Sequence, residues 1–345
     1  MRILLIADPH IPAPPSHYGG AERIVHLYAQ EFTRLGHRVG LMAGPGSRDY
    51  GGGLHVHRAP SMAYHSRARR KLQFQVQSLW AARDADAVYN HGRFDYIQSL
   101  LLLDKPLLSS FPNQIDQKQI DDAEALVRSR FAFHCISENQ RSHARITQPV
   151  HVIPNPVEAS AYRLGGGEEG YLAFLGRLTS NKGVDAAIAV AQRAGMRLVI
   201  AGNQSTEDGA ADYFQQAIAP HLDGEQIRWI GPVNDAQKQD LLAGASALLF
   251  PIRWDEPFGI VMIEALACGT PVIAMRRGST PEVIDHGATG FLCDTEDEMV
   301  QAAQNLSAIS RADCRTVAET RFDVSVVAPR VLKVLRELVQ GGTGP

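Results

Sequence analysis

No stretch of the 345-residue chain approaches the ~20 consecutive apolar residues that span a bilayer, so no transmembrane helix is expected. The apolar opening, residues 1–7, stops at Asp8-Pro9 and lacks the longer apolar region and small-residue cleavage site of a secretory signal. Cysteine is scarce: Cys135, Cys268, Cys293 and Cys314 have no CxxC spacing, which favours reduced buried thiols over metal or redox chemistry. A cytoplasmic location is therefore the expectation. Charge of one sign is lacking too. A net charge of −3 argues against a nucleic-acid partner. No GxGxxG follows an expected strand, so the dinucleotide fingerprint is absent. Lysine is the rarest cation, six of 34 basic residues, and each one is correspondingly more informative.

What is present is ordinary for a folded protein: 45% hydrophobic and 21% charged residues, which excludes disorder and fibrous structure. At roughly 100–200 residues per domain, the length predicts two domains. Short β-rich apolar runs alternate with amphipathic segments. The runs are 3–7, 38–43, 87–90, 107–110 and 131–137, then 171–175, 198–201, 227–230, 247–250 and 272–275. Helical patterns include 21–35, 183–194 and 295–308. Such alternation predicts an α/β protein with parallel sheets covered on both faces. Because the pattern restarts near residue 150, two doubly wound, Rossmann-like domains are expected, 1–150 and 151–323, with a last helix within 324–345. The boundary is placed around Pro149 to Gly170, where three prolines precede Gly165-Gly-Gly-Glu-Glu-Gly170, a composition suited to a hinge.

Ligands of open α/β sheets bind beyond the carboxyl ends of the strands, which directs attention to the following loops. The first loop ends in Gly19-Gly20 at a helix start, where the backbone can approach an anion; a plain glycine turn explains it equally well. The second, Leu175-Gly-Arg-Leu-Thr-Ser-Asn-Lys-Gly183, carries Arg177 and Lys182 five apart. Both cations can converge on a pyrophosphate, the alternative being two solvated loop cations. The third, residues 250–271, holds Glu256 and Glu264 eight apart, with Pro257 expected as the first helical residue. The backbone N–H groups of Phe258, Gly259 and Ile260 then offer donors to a phosphate. A capping acid and a paired helical Glu are the alternative. Eight helical residues rise about 12 Å, a spacing that suits two contacts along one extended ligand better than one scissile bond, so a hydrolase pair is disfavoured.

Two further features are weaker. The basic stretch from Arg58 to Lys71, with His55 and His57 before it, falls partly on an amphipathic helix running to about Ala82. It faces an anionic acceptor, an anionic membrane surface or simply solvent. Asp84-Ala-Asp86 spells DxD but precedes a strand, so no metal is expected there.

In this order, Tyr18-Gly-Gly-Ala-Glu-Arg23, Gly176-Arg177 with Lys182-Gly183, and Glu256-Pro-Phe-Gly-Ile-Val-Met-Ile-Glu264 resemble the family 4 retaining glycosyltransferases of the GT-B fold. Ile153-Pro-Asn-Pro156, Gly269-Thr-Pro-Val272 and the run 281–290 are similar as well. The resemblance implies two Rossmann-like domains facing across a cleft, the first for the acceptor and the second for a nucleotide-diphosphate sugar. It implies hexosyl transfer with retention, without metal or cofactor, the nucleotide-sugar being a co-substrate and the acceptor a small molecule, glycan or lipid-linked group. Arg177 and Lys182 would neutralise the leaving diphosphate, Glu256 would contact the sugar and Glu264 the ribose. Gly19, Gly20, Asn155, Gly176 and residues 258–260 would complete the donor site, and the last helix would return to the first domain. One departure matters. Many members have a histidine where this chain has Pro112, and His91, after the preceding strand, is a substitute candidate. A sugar-nucleotide epimerase of the same fold and a non-catalytic nucleotide-sugar binder are the competing readings.

Overall fold

The apolar runs that end before Asp8 and at Asn90 are neighbouring inner strands of one sheet. The computed structural model describes all residues except 16–18, 48–53, 59–65, 128–129, 168, 207–208 and 342–345, and only the backbone of residues 54, 58 and 67. The chain forms two compact units: Met1–Pro156 with the segment from Val324 onward, and Val157–Asp323.

In the first unit the order is β1 (Arg2–Ile6), α1 (Gly20–Arg34), β2 (Arg38–Ala43), β3 (Leu54–Arg58), α2 (Arg67–Ala82) and β4 (Ala87–Asn90). Then follow α3 (Phe94–Leu101), β5 (Leu107–Ser110), α4 (Gln117–Glu124), β6 (Phe131–Cys135), α5 (Glu138–Ser142) and β7 (Val150–Val152). All seven strands are parallel, in the order β3-β2-β1-β4-β5-β6-β7. β4, β5 and β6 are buried at every residue, as parallel strands covered on both faces must be. α1 buries Ile24, Val25, Tyr28, Ala29 and Phe32, one stripe at helical spacing.

The second unit contains β8 (Tyr171–Leu175), α6 (Val184–Ala194), β9 (Arg197–Ala201), α7 (Ala210–Tyr213), β10 (Ile227–Trp229), α8 (Asp235–Gly244) and β11 (Ala247–Phe250). It continues with α9 (Ile260–Ala267), β12 (Val272–Met275), α10 (Thr280–Val283), β13 (Gly290–Cys293), α11 (Glu296–Gln304) and α12 (Arg311–Val317). Its six parallel strands run β10-β9-β8-β11-β12-β13. The last helix, α13 (Val324–Val339), packs on α1, β4 and β5 of the first unit.

Some expectations shift in detail. β3, β7 and β13 are edge strands: β3 and β7 interleave histidine with their apolar residues, and β13 offers only Phe-Leu-Cys after Gly290, too short a run to stand out. β7 pairs with β6, so the first unit runs past residue 150 to Pro156. The run at 131–137 ends as strand at Cys135, because Ser137 turns to cap α5 through Gln140 N at 2.9 Å. The glycines of 165–170 are not the crossing segment. Gly165 lies inside the second unit, and its carbonyl accepts from Arg311, which also bridges to the Ala243 and Ala245 carbonyls. The chain enters and leaves the second unit at adjacent points, where Val157 N donates to Phe322 O at 2.8 Å. Among the described residues no helix is long and apolar enough to cross a membrane.

Candidate active site

In the second sheet, strand order reverses between β8 and β11. Chain connections lead from β8 toward β9 and from β11 toward β12, which makes this the switch point at whose strand ends open α/β sheets bind ligands. Those loops carry Arg177 with Lys182, and Glu256. They are locked together by Gly183, in the left-handed region at φ 73°. A Cβ there would stand 2.0 Å from the Pro251 carbonyl oxygen, so only glycine allows the approach. Arg253 N donates to Asn181 O across the same seam at 2.8 Å.

Lys182 ends a short 3₁₀ turn, and its ammonium donates to Glu256 Oε2; both side chains are largely buried. The ammonium also lies 5.0 Å over the Trp254 ring, a cation–π contact. Beside them Arg253 makes two bonds of 2.8 Å to Asp185, whose Oδ1 accepts from Tyr213 OH at 2.6 Å. Burial acts to raise the Asp185 carboxyl, and the Arg253 and Tyr213 bonds outweigh it, holding it below its ordinary range. Arg177 and Gly176 follow β8 directly, and the Arg177 side chain is half-buried.

The glutamate segment differs from expectation at its start. Pro257 is not helical: α9 begins at Ile260, and Gly259 at φ 77° is its N-cap. A Cβ on Gly259 would meet Met262 and Phe250 at 2.8 and 2.9 Å, so this turn also requires glycine. Glu256 therefore sits on an irregular loop held by Ser279, whose N–H donates to Glu256 O at 3.0 Å and whose hydroxyl donates to Phe258 O at 2.8 Å. The Phe258 ring is a buried anchor facing Phe322, so only its backbone is open to a ligand role. As the first helical residues, Ile260 and Val261 have N–H groups without intrahelical partners.

Glu264 lies in the second turn of α9, buried. Its Oε1 accepts from Tyr162 OH at 2.8 Å and from Lys238 Nζ at 2.5 Å, and Lys238 also reaches Asp235 at 3.3 Å. Each glutamate thus has its own lysine, Lys182 for Glu256 and Lys238 for Glu264. These are the only lysines of the second unit. Lys238 and Tyr162 escaped the reading of the sequence, although the scarcity of lysine that singled out Lys182 applies equally to Lys238.

The first unit has its own reversal point, between β1 and β4. Gly19 is the N-cap of α1 and Gly20 its first residue; Tyr18 lies outside the described residues. Glu22 is buried beside them, and burial raises its carboxyl. His91 follows β4 with its N–H bonded to Ile6 O at 2.7 Å. Its ring is buried against Tyr89 and Tyr28, at 4.2 and 5.7 Å between centroids. Its Nε2 has no hydrogen-bond partner among the described residues, and burial pushes the imidazole well below its usual range, keeping it neutral. Pro112 is exposed at the end of β5, next to the buried Phe111. Asn155 is buried just before the crossing. The structure therefore gathers Gly176, Arg177, Lys182, Glu256, residues 258–260 and Glu264 in the second unit. Gly19, Gly20, His91 and Asn155 belong to the first. Of the DxD acids, Asp86 binds Arg2 at 2.8 Å and Asp84 binds Arg83 at 2.9 Å, and among the described residues no cluster of three His, Cys, Asp or Glu could hold a metal ion.

Two parallel sheets of this order, with charged loops at the reversal point of the second, define a GT-B glycosyltransferase architecture. Two family models agree, Glycosyltransferase Family 4 over residues 18–161 and Glycosyl transferases group 1 over 164–318. The chain belongs to this family 4, group 1 lineage of glycosyltransferases. A phosphatidyl-myo-inositol mannosyltransferase of Mycobacterium tuberculosis is 31% identical over 55% of this chain and 54% of its own. The chain spans between about a third and about half of the first curated relatives it matches, 32% and 54% of their lengths. AviGT4, a glycosyltransferase of avilamycin A biosynthesis, shares the fold at a TM-score of 0.76 and 24% identity, covering 99% of this chain and 98% of its own. Anabaena HepE, solved with UDP and glucose, does so at 0.74 and 18%, covering 98% and 100%.

Proposed function

We propose that this chain transfers a hexosyl group from a nucleotide-diphosphate sugar to an acceptor, retaining the anomeric configuration and using no metal ion. The observation that carries this reading is the Lys182–Glu256 pair with Arg177 at the reversal point of the second sheet, Glu264 standing one helix turn and a half beyond the cap. Negative charge grows on the diphosphate as the glycosidic bond breaks. Preorganised cations there act where charge develops and lower the barrier most effectively. Lys182, held in place by Glu256 and Trp254, exchanges its carboxylate partner for the diphosphate; Glu256 is then released to the hydroxyls of the sugar. Arg177 adds a second, forked donor to the same phosphates, and the N–H groups at the start of α9 a third contact. Glu264 holds the ribose hydroxyls through Oε2, because Oε1 is taken by Tyr162 and Lys238. The two cations supply the charge compensation that a metal would otherwise provide. That HepE was solved with UDP and glucose supports a nucleotide-sugar donor. The first unit receives the acceptor.

Incubation with a panel of nucleotide-sugars, with acceptors drawn from sugars, glycans and lipid-linked groups, tests this. The expected result is release of nucleoside diphosphate matched by glycosylated product. A free epimerised nucleotide-sugar formed without acceptor, or tight donor binding with no turnover across the acceptor panel, contradicts it.

A further inference from the structure

The three most exposed large apolar side chains among the described residues lie on one helix. Leu72, Val76 and Trp80 of α2 are 62%, 57% and 57% exposed and stand four residues apart, a single row on the helix surface. The opposite face, Phe74, Ser78 and Ala82, is buried in the first unit. The helix is thus fixed by one side and presents an apolar stripe on the other. At 100° per residue, Arg69 and Arg83 extend that stripe at its two ends. Arg83 lies 5.1 Å over the Trp80 ring.

The charge pattern of α2 is not one that helix stability would select. Arg67, Arg69, Arg70 and Lys71 crowd its first turns, and its sixteen residues include no Asp or Glu. Cations at a helix N-terminus oppose the macrodipole. The nearby acids are few: Asp84 pairs with Arg83 at 2.9 Å and Asp95 approaches Lys71 at 3.8 Å. In a chain of net charge −3 this basic end is a local feature.

We propose that this face of α2 docks on an anionic phospholipid bilayer, with Leu72, Val76 and Trp80 entering the interface and the arginines meeting lipid phosphates. Three side chains in a row fall far short of the roughly 20–30 residues a side that a stable protein interface uses. An interfacial helix, by contrast, needs only a narrow apolar face flanked by cations, and tryptophan favours the headgroup level because its ring is amphipathic. The consequence for the first unit is delivery of the proposed acceptor side to a membrane surface, which fits a lipid-linked acceptor. The docking itself does not depend on the transferase reading.

Co-sedimentation of the full chain with vesicles tests it, using phosphatidylcholine alone and a mixture in which a third of the lipid is phosphatidylglycerol. The protein should pellet with the anionic vesicles and at least about tenfold more weakly with neutral ones. Each cation near an anionic leaflet is worth about fivefold, so Arg69→Gln with Arg70→Gln should weaken pelleting about 25-fold. Leu72→Gln, Val76→Gln and Trp80→Gln together should also weaken it about tenfold or more, with unchanged circular dichroism. Should that triple variant not fold, Trp80→Gln alone must still bind more weakly than wild type. Wild-type protein that does not pellet, or apolar variants that pellet like wild type, overturns the proposal. So does a lipid-free dimer in sedimentation equilibrium that the Trp80→Gln change dissolves, since a second copy would then be the occupant.

Discussion

Replacing Lys238 with methionine keeps the length of the side chain and removes its ammonium group. The partner, Glu264, is buried and so is Lys238, at 8% and 11% side-chain exposure. The variant therefore strands a carboxylate whose other donor is the neutral Tyr162 hydroxyl. Breaking one side of a buried ion pair costs about 3–5 kcal/mol, against about 0–1 kcal/mol for an exposed pair such as Arg321–Asp285. Adding Glu264→Gln removes the stranded charge, so the double variant should regain about 2–3 kcal/mol over the sum of the single changes. Urea unfolding of the wild type, both single variants and the double variant measures this coupling directly. A loss under about 1 kcal/mol in Lys238→Met, or additive single changes, would refute the claim that Lys238 is the counter-ion of Glu264. Kinetics add a second arm. If Glu264 binds ribose, Lys238→Met should raise the donor KM about tenfold while changing kcat less. With a 2′-deoxyribose donor that difference should shrink; an undiminished KM effect would show that Glu264 acts elsewhere.

Three more outcomes follow from the geometry. Arg177→Ala and Lys182→Ala should each cut turnover about 10²–10³-fold, read as nucleoside diphosphate release, and wild-type rates in either would exclude its role at the leaving group. Gly183→Ala combines a left-handed φ with a Cβ 2.0 Å from Pro251 O, so the melting temperature should fall by several degrees, by about 1–2 kcal/mol from the backbone alone; an unchanged melt would mean that the two loops are not locked. His134 accepts from Tyr89 OH at 2.8 Å through Nδ1 and donates through Nε2 to Ile153 O at 2.7 Å. Burial pushes it down to about 4 from 6.5, with the Ile153 bond opposing. The unfolded chain thus binds the extra proton, stability is full above pH 6.5, and about 2–3 kcal/mol is lost as pH falls toward 4. Because burial depresses His91 and His26 as well, the His134 share is the difference in urea midpoints between pH 7 and pH 4.5 for wild type and His134→Gln, and an equal slope in both would show that His134 does not carry it.

The parts of the fold that were legible in the sequence are those where burial is two-sided. β8, β11 and β12 read as unbroken apolar runs because helices cover both faces of a parallel sheet. β3, Leu54–Arg58, has histidines at alternate positions on a sheet edge and left no such run. Local rules also misled where tertiary contacts decide. Proline at 257 suits a first helical residue, yet Gly259 sets the turn and delays the helix to Ile260. The glycines at 165–170 resemble a flexible link, yet Gly165 is there because Ala243 O would stand 2.0 Å from any Cβ. Of the candidate site, Arg177, Lys182 and Glu256 were visible from their places after strands, and Glu264 from its spacing of eight from Glu256. Lys238 and Tyr162 were not, because their link to Glu264 crosses 26 and 102 residues of chain. Trp254 lies two residues before Glu256, but nothing in its spacing announces a ring beneath an ammonium group.

On the proposed function, the paired loops of the second sheet drive departure of a nucleoside diphosphate from a sugar that keeps its anomeric configuration. The most direct measurement is nuclear magnetic resonance of the product formed from an α-linked nucleotide-sugar, run in parallel with wild type and Lys182→Ala. The account predicts an α-linked glycoside, one equivalent of nucleoside diphosphate for each product, and near-complete loss of both in the variant. A β-linked product, or a Lys182→Ala variant that turns over like wild type, would contradict it.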